Sequence, residues 1–130
     1  MNILLVTNSY ANTRLLENAF GCYGNVDVAI DGVNGLDRFF RAYAAKTPYD
    51  VIFADVDAHN MDANDMTKEV RGFERANGVT QPSIVISTTH VQTDAILRGF
   101  KNGTDLFVRK PIELAQIEGF MRECGFSKES

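Results

Sequence analysis

The sequence lacks tryptophan, has only two cysteines and three prolines, and carries no excess of positive charge. Its 130 residues have a formal net charge of −4. A surface of this sign does not attract nucleic-acid phosphates or anionic lipids, so we expect no nucleic-acid and no membrane partner. Cys22 and Cys124 stand far apart and have no metal-binding spacing, so we expect two reduced thiols.

Long hydrophobic runs are also missing. No stretch approaches the roughly 20 consecutive apolar residues that a membrane-spanning helix needs. Residues 1–7 have neither the cationic start nor the long apolar run of a signal peptide. We therefore expect a cytoplasmic protein, and its 45% hydrophobic and 23% charged residues are typical of a globular domain.

Short apolar runs alternate with helical patterns along the whole chain. The runs cover residues 3–6, 26–30, 51–54, 84–86 and 106–108, and apolar residues spaced three or four apart follow each of them. Five such β–α units predict a doubly wound α/β domain with a five-stranded parallel sheet in the flavodoxin-like order 2-1-3-4-5. We expect this single domain to span residues 1–126. Residues 127–130 are expected to form a short polar tail, with no output domain.

In this strand order the functional crevice lies at the carboxyl ends of strands 1 and 3, where the winding reverses. Asp55 ends the third apolar run, Ser87 ends the fourth, and Lys110 follows the fifth. Pro111 disfavours a helical conformation at Lys110, which keeps the lysine extended. The sequence therefore predicts a carboxylate, a hydroxyl and an ammonium group at one rim, a set able to hold a phosphoryl group.

These residues lie in stretches that resemble the receiver domain of bacterial response regulators. The resemblance covers nearly the whole chain and is most specific over residues 49–62, 82–87 and 102–111, the last ending in a Lys-Pro pair. It implies that Asp55 is the phosphoacceptor, Ser87 the switch hydroxyl and Lys110 the phosphate-binding lysine. It also implies that Phe107, three residues before Lys110, is the switch aromatic.

The resemblance further implies a stand-alone response regulator of two-component or phosphorelay signalling. A histidine kinase or phosphotransfer protein would donate the phosphoryl group. The face made by the fourth helix, fifth strand and fifth helix would then change shape for a separate downstream effector protein. The chain would not be an enzyme beyond autocatalytic phosphotransfer and dephosphorylation of itself.

Thr7 and Asn8 depart from the family pattern, which has an acidic pair at the end of strand 1 that holds Mg²⁺. Magnesium prefers oxygen ligands and is usually held by one or two carboxylates together with substrate phosphates. Losing both acids should weaken Mg²⁺ binding, although Asp57 could return one carboxylate. We expect any metal site to consist of Asn8, Asp55 and Asp57.

Two interpretations of the receiver-like chain stay open. In the first, Asp55 is phosphorylated, and the combination of Asp55, Ser87 and Lys110 favours this interpretation. In the second, the fold is a pseudo-receiver that acts as a phosphorylation-independent protein-interaction module, which the missing acidic pair favours.

Two remoter alternatives rest on single features. Ser9, Asn12 and Thr13 would form a hydroxyl-rich loop after strand 1, similar to the loop with which flavodoxins hold the phosphate of FMN. A hydrolase could instead use Asp55 as its nucleophile, but it would need a second carboxylate, from Asp57 or Asp62.

Overall fold

Five strands and four helices make up the part of the chain that the computed structural model describes. That part comprises residues 1–8, 10–55, 63–80, 83–89, 101–109 and 112–128, with the backbone alone described at 10–12, 55, 87–89 and 109. The elements are β1 (Asn2–Val6), α1 (Tyr10–Gly21), β2 (Asn25–Ala29), α2 (Gly32–Ala44), β3 (Val51–Asp55), α3 (Ala63–Ala76), β4 (Ile84–Thr89), β5 (Leu106–Arg109) and α4 (Leu114–Glu123). The helix expected after the fourth apolar run, near Val91, lies outside the described residues.

The strands form one parallel sheet in the order β2-β1-β3-β4-β5, which confirms the predicted fold class. In the centre of the sheet, Leu5 of β1 lies opposite Val28 of β2 and Phe53 of β3. The chain order reverses between β1 and β3, so a crevice is expected at the carboxyl ends of these two strands.

Helices cover both faces of the sheet. Helices α1 and α4 pack on one face, where Leu16, Phe20, Ile117 and Met121 join Ile3 and Leu5 in one core. Helices α2 and α3 pack on the other face, where Phe39, Met66 and Val70 join Leu4 and Val6 in a second core. Successive strand residues point to opposite faces, so a strand covered on both sides reads as a continuous apolar run.

Strand β2 forms an edge of the sheet and is shorter than the sequence predicts. It ends at Ala29, and Ile30, expected to close the strand, is 63% exposed. The chain turns away there because the Asp31 carboxylate caps α2 by accepting a 2.8 Å hydrogen bond from the backbone N–H of Asn34. On the same edge strand, the Asp27 carboxylate accepts a 2.6 Å bond from the Tyr49 hydroxyl. Burial and this carboxylate raise the pKa of Tyr49 well above its usual range.

An ion-pair cluster of partly buried Arg71, buried Glu74 and exposed Asp105 fastens the carboxyl-terminal half of α3 to the amino edge of the sheet. The Arg71 guanidinium donates to Glu74 at 2.6 Å, to Asp105 at 2.7 Å and to the Gly103 carbonyl at 3.0 Å. The Glu74 carboxylate also accepts the backbone N–H of Ser83 at 2.8 Å. This Arg71 cluster therefore joins three segments that are far apart in the sequence.

The sequence predicts no membrane-spanning helix. None of the helices within the described ranges is both long enough and apolar enough to cross a bilayer.

Candidate functional site

The carboxyl ends of β3, β4 and β5 bring three of the predicted site positions together. Ala54 lies opposite Ser87, and Asp55 lies opposite Thr88 on the neighbouring strand β4. Ser87 in turn lies opposite Phe107 on β5. The backbones at Asp55, Ser87 and Phe107 therefore lie on three adjacent strands at one edge of the sheet. Neighbouring strands are about 4.8 Å apart, so these three positions are close together.

The two positions that replace the acidic pair lie on the other side of β3. Val6, the last residue of β1, is opposite Ala54, so the chain passes Asp55 as it leaves the strand. Thr7 is only 3% exposed and donates its backbone N–H to the Ala29 carbonyl at 2.9 Å. Asn8 is exposed. Of these two residues, only Asn8 therefore presents its polar side chain to solvent at the carboxyl edge.

Phe107 is half-buried, and its place on the sheet follows from its neighbours. Leu106 and Val108 pack with the core beneath α1 and α4. Because strand side chains alternate, Phe107 lies on the opposite face of β5, the face on which α3 packs against the sheet. The role of Phe107 as a switch aromatic stays a prediction.

Two of the predicted site residues, Lys110 and Asp57, lie outside the described residues. Their roles, and the roles of the Asp55 and Ser87 side chains, stay predictions. Among the residues that the structure does describe, no three His, Cys, Asp or Glu side chains are grouped so that they could hold a metal ion.

Asn64 is a polar residue of the first turn of α3 that the sequence analysis did not single out. It is only 7% exposed, and its Oδ1 atom has no hydrogen-bond partner among the residues that the structure describes. Nearby, the buried Thr67 hydroxyl donates to the Ala63 carbonyl at 2.7 Å. Both residues lie on the helix face that also buries Met66 and Val70. The sequence could have indicated them, because they are polar residues at positions of α3 where the helical pattern places apolar ones.

The proposed flavin-binding loop is shorter than the sequence suggested. Helix α1 begins at Tyr10, so Asn12 and Thr13 lie in its first turns and not in a loop. Ser9, the other residue of the expected loop, lies outside the described residues, so the FMN alternative stays untested.

Comparisons with known proteins agree with this architecture. Residues 3–122 match the family model described as the response regulator receiver domain. A probable histidine kinase 2 from Oryza sativa subsp. indica is 30% identical over 127 residues, covering 90% of this chain and 12% of the kinase. The two-component response regulator ORR41 from Oryza sativa subsp. japonica is 29% identical over 117 residues, covering 90% of this chain and 88% of that protein. The chain spans only 7–12% of the length of the hybrid and histidine kinases that it matches.

Solved structures show the same fold. The CheX–CheY–BeF3–Mg²⁺ complex from Borrelia burgdorferi matches with a TM-score of 0.81 at 20% identity, covering 95% of this chain and 89% of that one. The receiver domain of Ssk1, solved together with the histidine phosphotransfer protein Ypd1 from Saccharomyces cerevisiae, also has a TM-score of 0.81. It is 18% identical, with 95% of this chain and 87% of that chain covered.

Proposed function

The chain belongs to the response regulator receiver domain family of two-component and phosphorelay signalling, and we propose that it accepts a phosphoryl group on Asp55. The donor would be the phosphohistidine of a histidine kinase or of a phosphotransfer protein. One observation carries this proposal: the register that sets Asp55, Ser87 and Phe107 on adjacent strands at the carboxyl edge. A carboxylate, a hydroxyl and an aromatic residue at neighbouring strand ends suit phosphoryl transfer coupled to a change in packing.

In the proposed reaction, an Asp55 carboxylate oxygen attacks the phosphorus atom of the donor. A P–O bond to Asp55 forms while the P–N bond to the donor imidazole breaks, and the imidazole leaves with the bond's electron pair. The Ser87 hydroxyl would donate to a phosphoryl oxygen, and the Lys110 ammonium would neutralise part of the negative charge. Catalysis then consists of positioning and electrostatic stabilisation, as is usual for phosphoryl transfer.

A magnesium ion fits this site only as a weakly held ligand. Asp55, Asp57 and the exposed Asn8 would supply its oxygen ligands, whereas buried Thr7 contributes no carboxylate. When bound, Mg²⁺ would neutralise charge on the phosphoryl oxygens. Asp55 and Asp57 would supply the one or two carboxylates that Mg²⁺ commonly uses, but the acidic pair of the family is absent, so we expect weaker binding than the family pattern would give.

Phosphorylation would act on the partner face through Ser87 and Phe107. A phosphoryl group adds a charge of about −1.5 to −2 and three strong acceptor oxygens. We propose that these oxygens attract the Ser87 hydroxyl, and that Phe107, opposite Ser87 on β5, repacks in response. The altered surface around β5 and α4 would then bind a separate effector protein.

The test is a titration of the protein with beryllofluoride, a mimic of the phosphoryl group, in the presence of millimolar Mg²⁺. We expect the backbone amide signals of Ser87 and Phe107 to shift in heteronuclear NMR spectra, while the signal of Cys22, in the turn after α1, stays in place. Beryllofluoride without Mg²⁺ should give a smaller response. A folded protein whose Ser87 and Phe107 signals do not move at saturating mimic would argue against phosphorylation.

A pseudo-receiver that binds partners without phosphorylation is the second candidate. The observation that favours it is the pair Thr7 and Asn8, which places one buried hydroxyl residue and one neutral amide where the family has acids. The beryllofluoride titration distinguishes the two candidates, because a pseudo-receiver would keep the same spectrum at every concentration of the mimic.

Restoring the acidic pair is expected to strengthen metal binding. The double substitution Thr7→Asp and Asn8→Asp adds two carboxylates beside the end of β3, so Mg²⁺ affinity should rise by at least about tenfold. Asn8→Asp alone should give part of the gain, since its side chain is already exposed. Isothermal titration calorimetry with MgCl2 would measure this. Unchanged affinity in both variants would mean that another group already supplies the missing charge.

A further inference from the structure

A second candidate site lies at the amino edge of the sheet, opposite the edge where Asp55 ends β3. Helix α3 and residues 101–103 enclose a cavity of about 380 Å³ there. Four cationic side chains line it, namely Lys68, Arg71, Arg75 and Lys101, against the single carboxylate of Glu74. We call this the basic cavity, and neither the family assignment nor the proposed phosphorylation accounts for it.

The charge of Arg71 is already neutralised, whereas no ion pair among the described residues neutralises the other three cations. Arg71 is only 15% exposed and pairs with both Glu74 and Asp105. Lys68, Arg75 and Lys101 are exposed, and none of the ion pairs found within the described ranges includes them. The basic cavity therefore concentrates three solvent-facing positive charges on a chain whose net charge is −4.

The spacing of these cations indicates the size of an anion that would meet all of them. Lys68 and Arg75 are seven residues apart on α3, so they lie on one face of the helix, about 10 Å apart along its axis. Lys101 also lines the cavity. An anion that contacts all three cations would span more than one turn of the helix, which suits a short chain of linked phosphates better than a single phosphate ion.

We propose that the basic cavity binds a small molecule that carries two or three linked phosphate groups. Arginine matches phosphate oxygens with paired hydrogen bonds, and lysine binds them as a point charge. Asn102 adds an amide, and Val79 provides an apolar wall that could contact an attached base. The volume of the cavity is within the range of small-molecule sites.

Isothermal titration of the full chain with sodium tripolyphosphate, ATP and orthophosphate, at one low ionic strength without divalent metal, tests this proposal. We expect saturable 1:1 binding of tripolyphosphate and much weaker binding of orthophosphate. Similar affinities for ATP and tripolyphosphate would identify a polyphosphate site, and tighter ATP binding would identify a nucleotide site. Lys68→Gln, Arg75→Gln and Lys101→Gln should each weaken binding by about tenfold.

Two matched variants separate this site from general charge effects and from phosphorylation. Arg122→Gln removes one exposed positive charge from α4, away from the cavity, and should change the affinity less than about twofold. Asp55→Asn should leave tripolyphosphate binding unchanged because it alters the opposite edge of the sheet. No saturable binding, or an equal loss in Arg122→Gln, would overturn the proposal. Tighter binding of hexaglutamate than of tripolyphosphate would also overturn it, in favour of an acidic protein segment.

Discussion

Asparagine in place of Asp55 is expected to abolish phosphoryl incorporation from acetyl phosphate. The amide has no negatively charged oxygen to attack phosphorus. The other proposed site groups, Ser87 and Lys110, would bind a phosphoryl group without accepting it covalently. The expected change is from measurable incorporation to none. Intact-mass spectrometry after incubation with acetyl phosphate and Mg²⁺ would detect the added phosphoryl group directly.

Asp50→Asn is the matched control for this experiment. Asp50 immediately precedes β3, at the end opposite Asp55, where its exposed carboxylate accepts the backbone N–H of Asn2 at 2.8 Å. The same substitution there should leave incorporation at the wild-type level. Incorporation that persists in Asp55→Asn would place the phosphoacceptor elsewhere, and Asp57 would be the next residue to replace.

Among the substitutions proposed for this protein, Arg71→Met is expected to lower the free energy of unfolding the most. The change would leave the Glu74 carboxylate, which is only 6% exposed, without its cation. It would also remove the donors to Asp105 and to the Gly103 carbonyl. Removing one partner of a buried ion pair costs about 3–5 kcal/mol, a large share of the stability of an ordinary domain.

Urea denaturation followed by circular dichroism would measure this loss. Arg75→Met is the control, because Arg75 is exposed on the same helix and its replacement should change the free energy of unfolding by no more than about 0.5 kcal/mol. The double variant Arg71→Met with Glu74→Gln should recover part of the loss, since the amide still accepts from Ser83 and no charge is left buried. A double variant that is less stable than Arg71→Met would show that lost packing causes the effect.

The fold could be predicted from the sequence because its elements have local patterns. The strands of the central sheet are buried on both faces, so residues 3–6 and 51–54 appear as unbroken apolar runs. The helices show apolar residues three or four apart because each buries only one face. The end of β2 was mispredicted at Ile30. Ile30 continues the apolar pattern of the strand, but the capping carboxylate of Asp31 determines where the chain turns.

The candidate sites differ in how far the sequence reveals them. Asp55 and Ser87 were found because strand order alone brings the ends of β3 and β4 together, and the register confirms this placement of their backbones. The sequence analysis missed the Arg71 cluster. Its side chains come from one helix and two loops, and their positions in the sequence follow no repeating pattern that would indicate contact. The basic cavity was missed for the same reason, since Lys101 is 26 residues from Arg75 in the sequence and only the fold sets them around one space.

The Asp27 carboxylate on β2 has a consequence for how the protein behaves at high concentration. An edge strand presents unpaired backbone groups to which a strand of another molecule can add. Without Asp27 the strand would read as an almost unbroken apolar segment from Val26 to Ile30, the kind of sequence that aggregates. The charge of Asp27, held in place by the Tyr49 hydroxyl, repels an identical strand that approaches in the same register. We therefore expect the Asp27 charge to disfavour self-association of the domain through this edge.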